Sequence, residues 1–483
     1  MNTLYRTSRY IIKNKFIYQT KIYRNLTSQN IVLHNKEETV YVKNNDSNNF
    51  FISSLKNSNI KNIGIIGWGS QGKAQAMNLR DTINKLDLDI PIKIGLRENS
   101  NSIKDASNLG FKVEPIENVL NNSDLNLMLV SDSAQSKNYK HYFNCLKPGS
   151  TLGFSHGFLL GHLKNVNEDF PKENNIIMVA PKGMGNTVRS GYLTGNGINS
   201  SIGVYNEVNS NAKKLALAWA YGIGSPQIFE TTMEQEYISD IFGERAILLG
   251  GLHGIVEYLY KNLNEIYNND YAFNASVVYL VNDLSKEISN NGFLNLYKKF
   301  SKTNKIYFNT CYSKSYAISK LLYEEIYDEV ISGNEIRSVN LNSNRHISNI
   351  SGSAMWSKNK YFKKDTSLLE ESTKAHISGI YIGSMMAQVD ILSNKGHSYS
   401  EIVNESIIEA VDSLNPYMFY YGISNMIDNC SNTARLGARK WGPRLEAMLN
   451  QNMDSKKIPF NTNIEPFIEH KIHNIYKTIR NIN

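Results

Sequence analysis

The stretch Ile63-Gly64-Ile65-Ile66-Gly67-Trp68-Gly69-Ser70-Gln71-Gly72 restricts this chain more than any other. An uncharged run ends in glycine-spaced residues, and a helical pattern follows. This is GxGxxG in the strand–turn–helix setting that gives the motif meaning. The glycines permit a tight turn and close backbone approach. The helix that opens there presents free N–H groups to a pyrophosphate. A chain with this unit is expected to build a sheet with a dinucleotide crevice at the carboxyl ends of its strands.

The residues that follow extend that sheet. Ile92 to Leu96, Leu125 to Ser131, Thr151 to Ser155 and Ile176 to Ala180 read as buried strands, with Asn199 to Tyr205 and Gln227 to Phe229 after them. Near-continuous apolar strands alternating with helical stretches predict an α/β fold, a Rossmann-type doubly wound parallel sheet covered on both faces. Beyond Thr232 strand signals fade, and Ile241 to Leu263, Tyr271 to Ser289, Ser313 to Ser332 and Lys374 to Asp428 follow helical spacing. The C-terminal half is therefore expected to be all-helical. A polar, irregular connector, Leu341 to Ser372, divides it into two similar parts. Four units result: a leader over 1–29, a nucleotide-binding domain over 30–231, and helical halves over 232–360 and 361–478.

Charge argues against a nucleic-acid partner. The 483 residues carry a net charge of +8, but Arg6, Arg9, Lys13, Lys15, Lys21, Arg24 and Lys36 supply nearly all of it, with no acid before Glu37. The remainder is close to neutral and has no basic surface to follow a phosphate backbone. Residues 1–29 have the basic, hydroxyl-rich, acid-free composition of an organelle transit peptide. Arg and Lys spaced through an Ile- and Tyr-bearing stretch point to the mitochondrion, with the plastid as the alternative. No uncharged apolar run approaches the roughly 18–20 residues of a membrane span. Cys145, Cys311 and Cys430 are too few and too scattered for a disulfide or zinc framework.

The second strand ends in Gly95-Leu96-Arg97, followed by Ser100 and Ser102. An acidic residue usually stands there for an unphosphorylated ribose. An arginine and two hydroxyls suit a 2′-phosphate, which favours NADP.

The helical half carries paired carboxylates. Asp240 and Glu244 lie four apart, with Glu236 a turn earlier; Glu405 and Glu409 repeat the spacing, with Glu401 a turn earlier. Residues four apart share a helix face. Both pairs are set among apolar residues, and if the two helices meet, their four carboxylates converge. At ~4 Å a like-charged pair costs roughly 4 kcal/mol at an effective dielectric of about 20. Such a cluster requires cations, and an all-oxygen donor set favours Mg²⁺ or Mn²⁺ over zinc. Two ions could clamp adjacent substrate oxygens. His156 and Lys182 follow the fourth and fifth strands, where open α/β sheets bind ligands.

Together IGIIGWGSQGKAQAMNLRD, SDSAQ, SHGFLLGHL, PKGMG, EQEYISDIFGERAILLG, GHSYSEIVNES and NCSNTARLGARKW resemble ketol-acid reductoisomerase, in its long, plant-type form with a duplicated helical domain. The likeness runs from about Asn30 to about Asn450. It implies Mg²⁺-assisted alkyl migration in 2-acetolactate or 2-aceto-2-hydroxybutyrate, then NADPH reduction to the 2,3-dihydroxy acid of valine and isoleucine synthesis. It further implies a knotted helical domain, a homodimer and two Mg²⁺ per site. Asp240, Glu244, Glu405 and Glu409 are then the metal ligands, and Ser431 a substrate contact. His156, Lys182 and Glu236 are the catalytic groups. Trp68, Gly69, Ser70, Gln71, Arg97, Ser100, Ser102, Asp132, Gln135 and Gly185 hold NADPH. The segment Asn186 to Asn199 and the connector Asn340 to Lys374 are shorter than in plant forms. The competing reading is a metal-free NADP dehydrogenase of the 3-hydroxyacid type, which needs a lysine but no second carboxylate pair and leaves Glu405, Glu409 and Ser431 without a purpose.

Overall fold

The computed structural model describes residues 27–342, 363–454 and 463–482. Ten strands form one sheet: β1 Thr27–Leu33, β2 Lys36–Val42, β3 Ile63–Ile66, β4 Ile92–Leu96, β5 Lys112–Pro115, β6 Leu125–Met128, β7 Thr151–Phe154, β8 Asn175–Pro181, β9 Ser200–Asn206 and β10 Gln227–Glu230. Their spatial order is β1-β2-β10-β9-β8-β7-β6-β3-β4-β5. β3 lies between β4 and β6 and is parallel to both. The chain thus winds one way to β5 and then crosses back to β6, β7 and β8. That reversal opens a crevice beyond the carboxyl ends of β3 and β6.

Two features correct the expectation of a wholly parallel sheet. β9 runs antiparallel to β8. The helix between them, Gly185–Thr194, stays at the carboxyl end against Ser70–Lys85 and ends at Gly195 with φ 81°. The chain therefore re-enters the sheet from the end it left. The second feature is the β1–β2 hairpin, which adds to β10 in antiparallel register. β1 starts at Thr27, so this strand straddles the 29/30 boundary expected for the leader; residues 1–26 lie outside the described residues. β5 escaped the apolar-run criterion because Lys-Val-Glu-Pro is an edge strand with no buried residue.

The remainder is helical, and its halves repeat at a separation of 130 residues, the spacing of the hydrogen-bonded pair Ser285 and Asn415. Asn268 and Ser398 cap short helices, each accepting a bond from the N–H three residues on. Asn274–Leu284 and Asn404–Leu414 are π-helices. Gly292 and Gly422 both adopt positive φ. Ser301 and Ser431 cap the helices Lys302–Ile331 and Asn432–Asn452. Ser285 and Asn415, equivalent positions, meet at 2.9 Å between the halves.

The repeat has diverged where charge matters. Glu401, Glu405 and Glu409 correspond to Tyr271, Ala275 and Tyr279. The tyrosine hydroxyls are engaged by Thr373 and Ser378. The π-helix of the second half carries Glu405, Glu409 and Asp412, whereas that of the first carries Asp283 alone. Much of the expected connector, residues 343–362, lies outside the described residues. No described helix is long and apolar enough to cross a membrane.

Candidate active site

The cleft begins at the glycine turn. Gly67 has φ 106°, and a Cβ on Gly72 would lie 2.6 Å from the Gly67 carbonyl oxygen. Backbone packing therefore demands glycine at both positions. A Cβ on Gly69 would meet nothing within 4 Å, so the turn faces open space in front of the helix Ser70–Lys85. One arm of the cleft, about 450 Å³, is lined by Trp68, Gly69, Arg97, Ser100 and Ser102. Ser100 N–H donates to the Arg97 carbonyl at 3.0 Å and Ser102 N–H to Ser100 Oγ at 3.3 Å, which wraps the three into one turn. The structure thus brings together an exposed guanidinium, two hydroxyls and an unobstructed helix N-terminus, a donor set that fits a phosphorylated dinucleotide.

Other residues expected to touch the cofactor have structural duties as well. The Trp68 indole is buried; it donates to Asp105 at 2.7 Å and meets Phe111 edge-on. Gln71 donates to the Gly183 carbonyl at 2.9 Å. Gly185 abuts Ser70, whose carbonyl oxygen would lie 2.1 Å from a Cβ there. Gln135 donates to the Val130 carbonyl at 2.9 Å. Asp132 accepts a bond from Thr433, which ties the nucleotide domain to the helix headed by Ser431.

The second arm, about 400 Å³, continues from Ser70, Asp132 and Gln135 to His156, Glu236, Asp240, Glu244, Glu409 and Ser431. Thr232 caps the helix Met233–Arg245, accepting from Gln235 N–H, and this helix delivers Glu236, Asp240 and Glu244 on successive turns. Glu401 sits at the end of the first turn after Ser398, while Glu405 and Glu409 project from the π-helix. The sequence spacing implied an α-helix for that pair; i→i+5 bonding replaces it, and residues four apart still share a face. The two acid-bearing helices meet.

Charge compensation within the cluster is uneven. Lys182 Nζ lies 2.7 Å from Glu405, 3.2 Å from Glu401 and 3.8 Å from Glu236. His156 Nδ1 lies 3.2 Å from Glu236 and 3.3 Å from Asp240. Burial opposes the charge on His156, yet Glu236 and Asp240 outweigh it and hold the imidazole well above its ordinary value. Burial likewise works against ionised Glu236, but His156, Lys182 and the Gly157 N–H keep its carboxyl low. These groups satisfy one another. The others are not satisfied. Burial, then Asp240, raises Glu244 well above the carboxylate range, and burial, then Glu405 and Asp240, does the same to Glu409. Burial also raises Glu405, to about 8, despite Lys182. Glu409 Oε2 has no hydrogen-bond partner among the described residues.

Six carboxylates thus share Lys182 and His156. Arg245 approaches Glu244 at 3.4 Å but is committed to Glu335 at 2.5 Å. The tightest group of metal-type donors is His156, Glu236 and Asp240, within 4.8 Å of one another. Without a cation the trio is an ion-pair network, with His156 Nδ1 against Glu236 and Asp240. The unmet demand for cations lies with Glu244, Glu409 and Asp240 on the cleft wall, and an all-oxygen set fits hard divalent ions. Glu405 stands one layer behind, against Lys182.

Several residues escaped sequence reasoning. Leu248, Leu249 and Leu414 form an apolar wall beside the acids. Their only sequence signal was proximity to the acid pairs. Ser239 and Glu401 are joined through space at 2.9 Å, 162 positions apart, with no local signal.

Comparison with known proteins agrees with this architecture. The family model of the acetohydroxy acid isomeroreductase NADPH-binding domain matches residues 57–228. That of the ketol-acid reductoisomerase C-terminal domain matches 233–373 and again 365–458, once for each helical half. The chain is 47% identical over 417 residues to the chloroplastic ketol-acid reductoisomerase of Spinacia oleracea, covering 81% of this chain and 70% of the relative. It is 34% identical over 287 residues to the mitochondrial one of Neurospora crassa, covering 58% and 70%. Among solved structures, an NADH-preferring ketol-acid reductoisomerase from an uncultured archean aligns with a TM-score of 0.53 and 28% identity, covering 61% of this chain and 88% of that one. With a single nucleotide domain, two helical halves and one retained acid cluster, the chain belongs to the ketol-acid reductoisomerase family and has its plant-type architecture.

Proposed function

We propose that this chain converts 2-acetolactate or 2-aceto-2-hydroxybutyrate to the 2,3-dihydroxy acid, with NADPH and two Mg²⁺ ions held by Asp240, Glu244, Glu405 and Glu409. The observation that carries the reading is the excess of buried carboxylate beside a dinucleotide crevice. Bound there, the divalent ions supply Lewis acidity to the substrate oxygens and the nicotinamide supplies hydride. The rest is the work of side chains. Leu248, Leu249 and Leu414 offer an apolar surface to the migrating alkyl group and exclude water from it. Ser431 accepts from Ala434 N–H at 3.0 Å, leaving its own proton for a substrate oxygen. Glu236 lines the cleft and is kept ionised by Lys182 at 3.8 Å and His156 at 3.2 Å, so its carboxylate can accept the C2 hydroxyl proton and return it to the product oxygen. Arg97, Ser100 and Ser102 favour the 2′-phosphate.

The test follows NADPH absorbance with 2-acetolactate, with Mg²⁺ added or chelated, and again with 3-hydroxy-3-methyl-2-oxobutyrate. Metal-dependent oxidation with the first is expected. Turnover of the second alone, indifferent to chelator, refutes the proposal in favour of a plain dehydrogenase. Asp240→Asn is expected to lose both steps and retain NADPH binding. We further propose import into an organelle and a homodimer in solution. Composition of residues 1–29 pointed to the mitochondrion; the greater identity to the chloroplastic relative favours the plastid. Fusion of residues 1–29 to a fluorescent protein distinguishes the two, and light scattering gives the mass.

A further inference from the structure

Lys182 is buried and does not line the cleft; its three carboxylate neighbours are not equivalent. Glu236 is the farthest, at 3.8 Å, and is engaged by His156 at 3.2 Å and by the Gly157 N–H at 2.8 Å. Glu405 is the nearest, at 2.7 Å, and belongs to the proposed cation-binding set. Glu401 is different again. It is fully buried and absent from the cleft wall. Its Oε1 accepts from Lys182 Nζ at 3.2 Å and from Ser239 Oγ at 2.9 Å. Ser239 rises from the helix that carries Glu236 and Asp240. Glu401 Oε2 has no hydrogen-bond partner among the described residues. A buried carboxylate half satisfied in this way is costly unless its charge serves a neighbour.

We infer that Glu401 is a positioning residue whose carboxylate fixes the Lys182 ammonium behind the acid cluster. The inference rests on the function proposed above. A cation held by Glu405 would compete with Lys182 for its nearest anion. Glu401, with no ligand to serve, stays with the ammonium and holds it within reach of Glu236. Ser239 fixes the carboxylate in turn. The corresponding position in the first helical half is Tyr271, which carries no charge to place beside a lysine.

Full-length Glu401→Gln tests this. Lys182 keeps Glu405 and Glu236 as counter-charges, so folding is expected to persist, which thermal melting verifies. With 2-acetolactate and saturating Mg²⁺, kcat is expected to fall between about 10- and 100-fold, the scale of a misplaced catalytic group. The NADPH KM is expected to stay within about twofold. The decisive measurement is a double-mutant cycle. If Glu401 acts through Lys182, Glu401→Gln adds no loss to Lys182→Met. Additive losses, or a Glu401→Gln kcat equal to wild type, overturn the inference. If Glu401→Gln fails to fold, Ser239→Ala takes its place in the same cycle, with a smaller loss of about two- to fivefold expected. Absence of metal-dependent turnover in the wild type would instead refute the proposed function.

Discussion

Removing divalent cations and changing pH tests the charge imbalance of the cluster directly. Burial, with Asp240 and Glu401 and against Lys182, pushes the Glu405 carboxyl from an ordinary 4.5 to about 8. The folded chain therefore holds a proton that the unfolded chain releases between those two values. Stability from this group is complete below pH 4.5 and is lost as pH rises through 8. The full effect is on the order of 5 kcal/mol, and the part that falls between pH 6.5 and 8 is about 2 kcal/mol. Glu244 and Glu409 are raised as well and act with the same sign. His156, held above 6.5, also loses stabilising charge as pH rises. His397 and His473, which burial lowers to about 4, oppose this only at lower pH. The window from pH 6.5 to 8 thus excludes these two histidines and reports on the acids together with His156, all acting in the same direction.

The metal-free protein is expected to melt several degrees lower at pH 8 than at pH 6.5, since about 2 kcal/mol moves the midpoint of a large domain by that much. Mg²⁺ at about a hundred times its Kd adds roughly 2.7 kcal/mol. Its gain is expected to be greater at pH 8, where fewer protons need to be displaced. The assay is thermal melting at both pH values in EDTA or in Mg²⁺. Glu409→Gln serves as the internal control. It is expected to raise the melting point of the metal-free protein at pH 8 and to weaken the response to Mg²⁺. A melting point indifferent to Mg²⁺, or a greater gain at pH 6.5, refutes the reasoning.

Other outcomes follow from single contacts. Arg97→Asp is expected to raise the NADPH KM at least about tenfold and leave the NADH KM within about twofold, since only the 2′-phosphate meets the new charge; equal changes refute its role. Glu38 on β2 accepts the N–H groups of Tyr399 at 2.6 Å and Ser400 at 2.9 Å, capping the helix that leads to Glu401. Glu38→Ala is expected to cost about 1 kcal/mol in urea unfolding, and no loss would show the hairpin to be independent of the site. Glu335→Gln removes the nearer counter-ion of buried Arg245 and leaves it only Glu244 at 3.4 Å, and about 3–5 kcal/mol of destabilisation is expected; a loss below about 1 kcal/mol would mean that Glu244 takes over the guanidinium.

Short-range patterns were legible without coordinates. The glycine turn is encoded by neighbours, because Gly67 and Gly72 meet across a handful of residues. The inner strands of the nucleotide domain announced themselves as apolar runs, since a strand covered on both faces leaves little room for charge; the edge strand β5 did not. The acid pairs were visible from spacing, and seven motifs in order pointed to the family. The β1–β2 hairpin was not visible, because its half-exposed strands gain register only from β10. The reversal of β9 was hidden as well: strand direction depends on where the preceding helix packs, which apolar content does not encode.

The sequence by itself determined which chemistry the chain carries: a dinucleotide turn, an arginine and serines after β4, and acids at helical spacing. Only the tertiary structure decided which acids remain uncompensated. Lys182 and Glu401 are 219 residues apart, and Glu236 and His156 are 80 apart. A carboxylate acquires its character from the charges a few ångströms away and from the water it has lost, since Coulomb energy and desolvation depend on distance and dielectric. Spacing along the chain records neither. The fold placed Lys182 against Glu405 and Glu401, gave His156 to Glu236 and Asp240, left Glu409 facing the cleft without an ion-pair partner, and left Glu244 with only Arg245, which Glu335 holds more closely.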